Sequence, residues 1–352
     1  MSTSSRDSLL VRRPYAAAGA GAALLLVLYL MTQFAEVLLT IFAGILLAVF
    51  LAGATQGLSA NTFLPRSVAL LLTIAGLVSL FAILWILTGP DISEQLSELA
   101  ALLPNATERL TNRLRANIQQ NEWVRRLLDP SQLMSTVPSV LGGVTNVFRS
   151  TVGILVNTFI VLFIGIYGAI NPQWYVDGVV RMVPPSRRQR AQEVIYAIGR
   201  ALRWWLTGRV IMMVIVGVLT ALGLSLAGIP SPIALGLVAA LSSFVPYLGP
   251  VLAVVPALLV ASLLSLTKVV YVVLVYGTVQ VLESYMITPL VQERAVHVPP
   301  AALISVQLIG GVGAGAVGVL LATPLAVVII VLVQTLYVED VLGDEVPLLG
   351  EH

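Results

Sequence analysis

The chain has 352 residues, of which 58% are hydrophobic and only 10% are charged, and its formal net charge is +2. A soluble domain usually carries about 25% charged residues, so this composition excludes a water-soluble globular fold and predicts a polytopic membrane protein whose apolar surface faces lipid. The chain has no cysteine and two histidines, which excludes disulfides and thiol chemistry and leaves almost no material for a histidine metal site or a catalytic triad.

The single lysine, Lys268, is preceded by Thr267 and followed by Val269, so the chain contains no G-K-[ST] phosphate-binding loop. We therefore expect a protein that works without ATP and is not an enzyme, with no cofactor and no metal ion. The basic residues are mostly arginines in predicted loops, and we expect no nucleic acid partner.

Apolar runs near the length of about 20 residues that crosses the hydrocarbon predict the membrane spans. The candidates are residues 15–32, 35–54, 66–89, 150–170, 208–228, 232–266, 269–288 and 301–336. The runs 232–266 and 301–336 are too long for one ordinary crossing, and proline or glycine interrupts both. We therefore expect an all-α protein with about eight spans, in which each long run either folds back as a re-entrant hairpin or crosses once with a kink.

The distribution of arginines predicts how these spans are oriented in the membrane. Residues 172–207 contain six arginines and two acids, and the positive-inside rule predicts that this linker is cytoplasmic. Counting spans from there places both chain ends on the cytoplasmic side and residues 90–149 outside. The predicted organisation is an N-terminal tail (1–14), three spans (15–89), an extracytoplasmic region (90–149), a span (150–171), the linker (172–207), a C-terminal core with broken helices (208–336) and an acidic tail (337–352).

Two regions outside the spans have amphipathic patterns. In residues 91–129, leucines recur at steps of three and four between charges, which predicts a helix pair. This pair packs on itself or on another subunit, or it covers the membrane domain of its own chain. Residues 186–206 predict a helix with one apolar face, which either lies at the cytoplasmic interface or only connects two spans.

The first interruption lies in the stretch SSFVPYLGPVLAVVPALL, residues 242–259. Proline removes a backbone donor, and non-helical backbone at membrane depth persists only where protein or water satisfies it. Such breaks mark binding sites in many secondary transporters, although proline can also produce a simple packing kink. We assign Pro246, Tyr247, Gly249 and Pro250 to a substrate or ion pathway.

The second interruption is LIGGVGAGAVGVLLATP, residues 308–324. Its glycines allow close approach of backbones, either in a helix-packing face with small residues four apart or in a re-entrant loop. The candidate pathway residues in this stretch are Gly310, Gly311 and Gly318.

The third candidate stretch is VQVLESYMITP, residues 279–289. Glu283 lies deep in an apolar run, and Gln280 lies one turn earlier on the same face. A carboxylate inside the membrane is costly and indicates a functional site, and a buried carboxyl suits a proton carrier. The alternative is a packing role or neutralisation by an arginine. Arg209 is a candidate charge partner, unless it only snorkels to the interface, and Pro289 completes the predicted pathway.

These stretches resemble the AI-2E (autoinducer-2 exporter) transporter family. In order, the chain has a G-[IV]-P turn in LAGIPSP, the motif P-Y-x-G-P, a buried glutamate followed by T-P, a proline turn, a glycine-rich stretch and a final A-x-P. The resemblance covers residues from about 20 to 336 and is most specific in the C-terminal half. Two departures are visible: the second span ends in LAGATQGLSA without the expected proline, and Arg209 stands where a glutamine is common.

The resemblance implies a bacterial inner-membrane protein with about eight spans that forms a homo-oligomer, with a pentamer as one candidate. It also implies ATP-independent transport of a small molecule or ion in the lipid bilayer. Members of the family are linked to export of autoinducer-2, and others to sodium–proton antiport. We expect a small-solute exporter that is proton-linked through Glu283. The alternatives are a Na⁺/H⁺ antiporter, or a non-transporting membrane scaffold in which residues 91–129 bind a partner.

Overall fold

A computed structural model describes residues 34–79, 151–287 and 299–344, together with the separate positions 82, 86, 94, 95 and 98. The described residues form helices and contain no strand, which confirms the all-α fold class. The helices are α1 (Ala35–Asn61), α2 (Arg66–Ser79), α3 (Thr151–Ile170), α4 (Pro172–Arg181), α5 (Arg188–Leu226), α6 (Pro232–Ser242), α7 (Leu248–Leu264), α8 (Leu266–Leu282) and α9 (Pro300–Val333). Two π-helical turns, Glu283–Ile287 and Gln334–Leu342, continue α8 and α9.

Four described helices are long and apolar enough to cross a membrane, and α3 with α4 makes a fifth if the two are counted as one bent span. This count rests on length and composition alone, and the predicted eight spans are not confirmed. The predicted first span (15–32), most of the region 90–149, Pro289 and the tail beyond residue 344 lie outside the described residues.

Helix α5 runs without a break through the predicted boundary between linker and core at residues 207 and 208. One helix of 39 residues therefore replaces a separate interfacial helix followed by a span. Its sequence contains no proline, so nothing removes a backbone donor along its length. At a rise of 1.5 Å per residue the helix is about 58 Å long, which exceeds the hydrocarbon thickness and places its two ends at opposite ends of the molecule.

The long segment 232–266 folds back on itself. Helices α6 and α7 are joined by residues 243–247, and we call this unit the first hairpin. Leu235 near the start of α6 and Val260 near the end of α7 belong to one buried cluster, whereas Ala239 near the end of α6 and Ala253 near the start of α7 belong to another. A residue early in one helix thus meets a residue late in the other, which is the pattern of antiparallel helices.

Helix α9 also folds back, and we call it the second hairpin. Ala314 and Gly315 have non-helical backbone angles, and Gly315 has φ 59° and ψ −141°. Gln307 on the first arm donates to the hydroxyl of Thr323 on the second arm, at 3.2 Å. Sixteen residues of straight helix would span about 24 Å, so this hydrogen bond requires two antiparallel arms.

Small residues allow the helices to approach closely. In the second hairpin, a Cβ added at Gly318 would collide with the carbonyl oxygen of Gly310. Between α5 and α6, a Cβ at Gly217 would lie 2.7 Å from the Cβ of Ala240. Between α1 and α3, a Cβ at Gly44 would lie 2.6 Å from Ile164. Membrane helices commonly associate through such small-residue contacts, because hydrocarbon provides no hydrophobic drive between them.

Polar contacts join other segments of the chain to the two ends of α5. Beyond the C-terminal end of α5, in the first turn of α6, the backbone N–H groups of Ile233 and Ala234 donate to the side chain of Gln95, at 3.0 and 3.2 Å. Residue 95 belongs to the predicted extracytoplasmic region, and here it satisfies donors in the first turn of α6. At residue 95, therefore, this region contacts the membrane domain of its own chain.

At the N-terminal end of α5, Arg190 holds the segment that follows α9. Its guanidinium lies 2.7 Å from a carboxylate oxygen of Glu339 and 2.8 Å from one of Asp340, and it donates to the carbonyl of Thr335 at 2.8 Å. Glu193 lies 3.3 Å away on the same helix. The beginning of α5 and the C-terminal segment therefore lie at the same end of the molecule.

The turn of the second hairpin provides a test of the glycine requirement. A Cβ at Gly313 or at Gly315 would meet nothing within 4 Å, but only Gly315 has a positive φ. We expect Gly315→Ala to lower the free energy of unfolding by about 1–3 kcal/mol, because an L-residue is strained in this region. Gly313→Ala is the matched control and should not destabilise the protein. Denaturant unfolding in detergent measures both, and equal effects would contradict the backbone explanation.

Arg190→Gln should release the C-terminal segment, because it removes the charged partner of Glu339 and Asp340. These side chains are partly exposed, so each ion pair contributes no more than about 1 kcal/mol. The expected result is faster amide hydrogen exchange in residues 334–342, with little change elsewhere. Arg187→Gln, which removes an exposed arginine nearby, is the control. Unchanged exchange in Arg190→Gln would show that the cluster does not hold the segment.

Candidate functional site

The turn of the first hairpin, residues 243–247, has a strained backbone. Tyr247 has φ 63° and ψ −51°, and the N–H of Leu248 donates to the carbonyl of Pro246 at 2.7 Å. These angles form a γ-turn of the rare type with positive φ. A non-glycine residue in this region costs about 1–3 kcal/mol and persists only where its surroundings impose it. Such strain is concentrated at functional sites.

Gln307 connects this turn to the second hairpin. Its side chain is fully buried, and its Nε2 donates to the carbonyl of Pro246 at 2.9 Å and to the hydroxyl of Thr323 at 3.2 Å. One amide group therefore joins the turn of the first hairpin to both arms of the second. Its Oε1 makes no hydrogen bond within the described part of the chain.

Arg209 supports the same turn from α5. Only 3% of its surface is exposed, and its Nε donates to the carbonyl of Phe244 at 3.0 Å. Next to it, Trp205 packs edge-on against the Phe244 ring, with a centroid separation of 5.4 Å and an interplanar angle of 83°. Arg209 is therefore buried inside the protein and does not snorkel to an interface.

Glu283 is buried and lies where α8 changes from α-helical to π-helical hydrogen bonding. Such changes occur frequently at functional sites. The charges of Arg209 and Glu283 are close enough to interact. Among the described residues, however, the ion pairs shorter than 4 Å do not include these two. Arg209 instead uses its Nε to satisfy a backbone carbonyl, so the arrangement is a charge pair at longer range.

A small cavity lies beside Glu283, with a volume of about 20 Å³, and a cavity above roughly 10–15 Å³ can hold a water molecule. It lies among α5, α6, α7 and α8. Thr220 on α5 is fully buried, and its hydroxyl makes no hydrogen bond within the described part of the chain. The other polar residues that line the cavity are Ser243, Tyr276, Gln280 and Glu283.

The structure brings most predicted pathway residues to this region. Pro250, Gln280 and Glu283 line the cavity. Pro246 and Tyr247 form the strained turn, and Gly249 follows it, where an added Cβ would collide with the carbonyl oxygen of Ser242. The glycines Gly310, Gly311 and Gly318 lie in the second hairpin, which Gln307 joins to that turn.

Sequence reasoning missed four residues of the site: Thr220, Ser243, Tyr276 and Gln307. Gln307 carried a usable signal, because an amide inside an apolar run needs a partner. Thr220 and Ser243 carried no such signal, because the hydroxyl groups of serine and threonine in helices commonly donate to a backbone carbonyl one turn earlier. Their position at a cavity depends on how the helices pack.

The profile of the AI-2E family transporters matches residues 21–337, which include every described element up to Tyr337. The chain belongs to the AI-2E transporter family. This result confirms the resemblance that the broken helices and the buried glutamate suggested.

Curated relatives agree with membership of the AI-2E family. A Bacillus subtilis (strain 168) protein named "Putative transport protein YueF" is 24% identical over 76% of this chain and 75% of its own length. "Putative transport protein YrrI" from the same strain is 30% identical over 44% of this chain and 42% of its own length. "Putative transport protein MT0215" of Mycobacterium tuberculosis (strain CDC 1551 / Oshkosh) is 26% identical over 86% of this chain and 84% of its own length.

Replacing Gln307 tests whether this amide holds the two hairpins together. Gln307→Leu keeps the approximate volume but leaves the carbonyl of Pro246 without its side-chain donor. We expect the free energy of unfolding to fall by about 1–3 kcal/mol. Thr323→Val removes only the second hydrogen bond and should cost less, about 0.5–1.5 kcal/mol. Denaturant unfolding in detergent measures both, and an equal or larger effect of Thr323→Val would contradict the central role of the bond to Pro246.

Proposed function

We propose that this AI-2E family protein is an ATP-independent secondary transporter whose pathway runs between the two hairpins and past Glu283. The observation that carries the proposal is the turn 243–247, which is non-helical and strained and is held by two buried side chains from other helices. Discontinuous helices in secondary transporters direct helix ends and free carbonyls at the substrate. The cavity beside this turn supports that role.

The proposed pathway residues are those predicted from the sequence, with Thr220 and Gln307 added. They are Pro246, Tyr247, Gly249, Pro250, Gln280, Glu283, Pro289, Gly310, Gly311 and Gly318, with Arg209 as the charge partner of Glu283. Both hairpins are antiparallel in the described residues, which supports two re-entrant elements, because each returns to the end of the molecule where it began.

Glu283 is the proposed proton carrier. It is the buried acid of the cavity, and the cavity is large enough for a water molecule to deliver a proton. Arg209 lies near enough to interact with the carboxylate without forming a direct ion pair, which leaves the carboxyl group free to take up and release a proton. The unpartnered hydroxyl of Thr220 is a ligand for the water or for the transported species.

The proposed cargo is a small polar solute that resembles autoinducer-2, exported in exchange for protons. Sodium–proton antiport through the same carboxylate is the second candidate, because a cavity of this size fits a monovalent cation. We further propose a homo-oligomer in the bacterial inner membrane, with both termini cytoplasmic. The arginines at the N-terminal end of α5 support this orientation.

Proteoliposomes with a trapped pH dye test the proposal, with Na⁺ or autoinducer-2 gradients applied in turn. We expect the wild-type protein to move protons under one gradient and Glu283→Gln to abolish the movement.

Thr220→Val should slow transport without lowering the free energy of unfolding. The substitution removes a buried hydroxyl that has no partner, and such a group costs about 1–3 kcal/mol to bury. Equal proton movement in wild type and Glu283→Gln would remove Glu283 as carrier, and no movement in either would leave the non-transporting scaffold.

A further inference from the structure

Helix α4 is nearly perpendicular to α3. The two helices meet at Asn171 with a bend of 87°. Pro172 occupies the first turn of α4, where a backbone N–H would have no partner within the helix, so proline is well tolerated there. Helix α3 has 20 residues and no charged residue, which is the length and composition that crosses the hydrocarbon, and a helix at right angles to it lies along the bilayer surface. Amphipathic helices in this position place their apolar residues at the boundary between headgroups and acyl chains.

The exposed side chains of α4 suit that position. Trp174 is 77% exposed, Tyr175 is 58% exposed, and Met182 just beyond the helix is 87% exposed. Seen along the helix axis, with 100° of rotation per residue, these three residues and Arg181 lie within an arc of about 120° on one face. Tryptophan and tyrosine are enriched at the level of the headgroups, because one end of each ring is apolar and the other is polar.

Three exposed arginines follow these aromatic residues in the chain. Arg181 ends α4, Arg187 lies in the following turn, and Arg188 begins α5. The Nε of Arg188 donates to the carbonyl of Val183 at 3.2 Å, which brings its side chain back to the end of α4. Asp177 is the one acid in residues 172–188. We define the α4 surface as Trp174, Tyr175, Arg181, Met182, Arg187 and Arg188.

We propose that the α4 surface binds the headgroups of anionic phospholipids. The guanidinium groups match the phosphate in charge and can donate two parallel hydrogen bonds to it. The aromatic rings and Met182 occupy the adjacent acyl boundary. The charge of the surface selects the occupant, because three arginines beside one acid attract anionic lipid and gain little from a zwitterionic headgroup. This role is separate from the transport pathway and does not depend on it.

A single thiol label can report on this contact, because the natural chain has no cysteine. A Cβ at Gly178, on α4, would meet nothing within 4 Å, so Gly178→Cys is a suitable site for the fluorophore NBD. The labelled protein is reconstituted in phosphatidylcholine vesicles that contain a small fraction of spin-labelled phosphatidylglycerol or spin-labelled phosphatidylcholine. We expect phosphatidylglycerol to quench the fluorophore more strongly, and this preference to weaken in 1 M salt.

The arginine variant identifies the source of the preference. Added to Gly178→Cys, Arg187→Gln should reduce the preference for phosphatidylglycerol by about two- to fivefold. Arg66→Gln is the matched control, because it removes the same charge from an exposed site at the beginning of α2 and should leave the preference unchanged. Equal quenching by the two lipids, no quenching by either, or the same loss in Arg66→Gln and Arg187→Gln would each overturn the proposal.

Discussion

The main constraint on this structure is that the backbone of residues 243–247 must be hydrogen-bonded inside an apolar protein. An unpaired carbonyl in such surroundings costs several kcal/mol. The helical ladder does not supply the carbonyls of Phe244 and Pro246, because the N–H of Leu248 bonds to Pro246 and Pro250 has no N–H. The carbonyl of Phe244 receives its donor from Arg209, and that of Pro246 receives one from Gln307. Two polar side chains that would be costly in a membrane protein thus stabilise the feature that interrupts its helices.

The same contacts connect the parts of the candidate site. The turn belongs to the first hairpin, Gln307 to the second and Arg209 to the long helix α5. Ser243, at the beginning of the turn, lines the cavity that also contains Glu283. A change in the turn therefore affects both hairpins and the surroundings of the buried acid.

Helix α5 organises the rest of the molecule. Its middle carries Arg209 and its C-terminal part carries Thr220. Its N-terminal end meets the C-terminal segment through Arg190, and its C-terminal end leads to α6, whose first turn is capped by Gln95. The candidate site therefore lies along a continuous helix whose two ends are held by charged or polar contacts. Helix α4, beside the N-terminal end, faces outwards with aromatic residues and arginines.

The sequence by itself determined the membrane character, the all-helical class, the positions of both interruptions and the presence of an acid, Glu283, inside an apolar run, because hydropathy, proline and charge are local properties. It left open whether 232–266 and 301–336 fold back, and only the tertiary structure showed two antiparallel hairpins. The continuity of α5 and the roles of Thr220 and Gln307 also required the structure. Each depends on which residues meet across helices far apart in the chain, and a local pattern contains no information on that pairing.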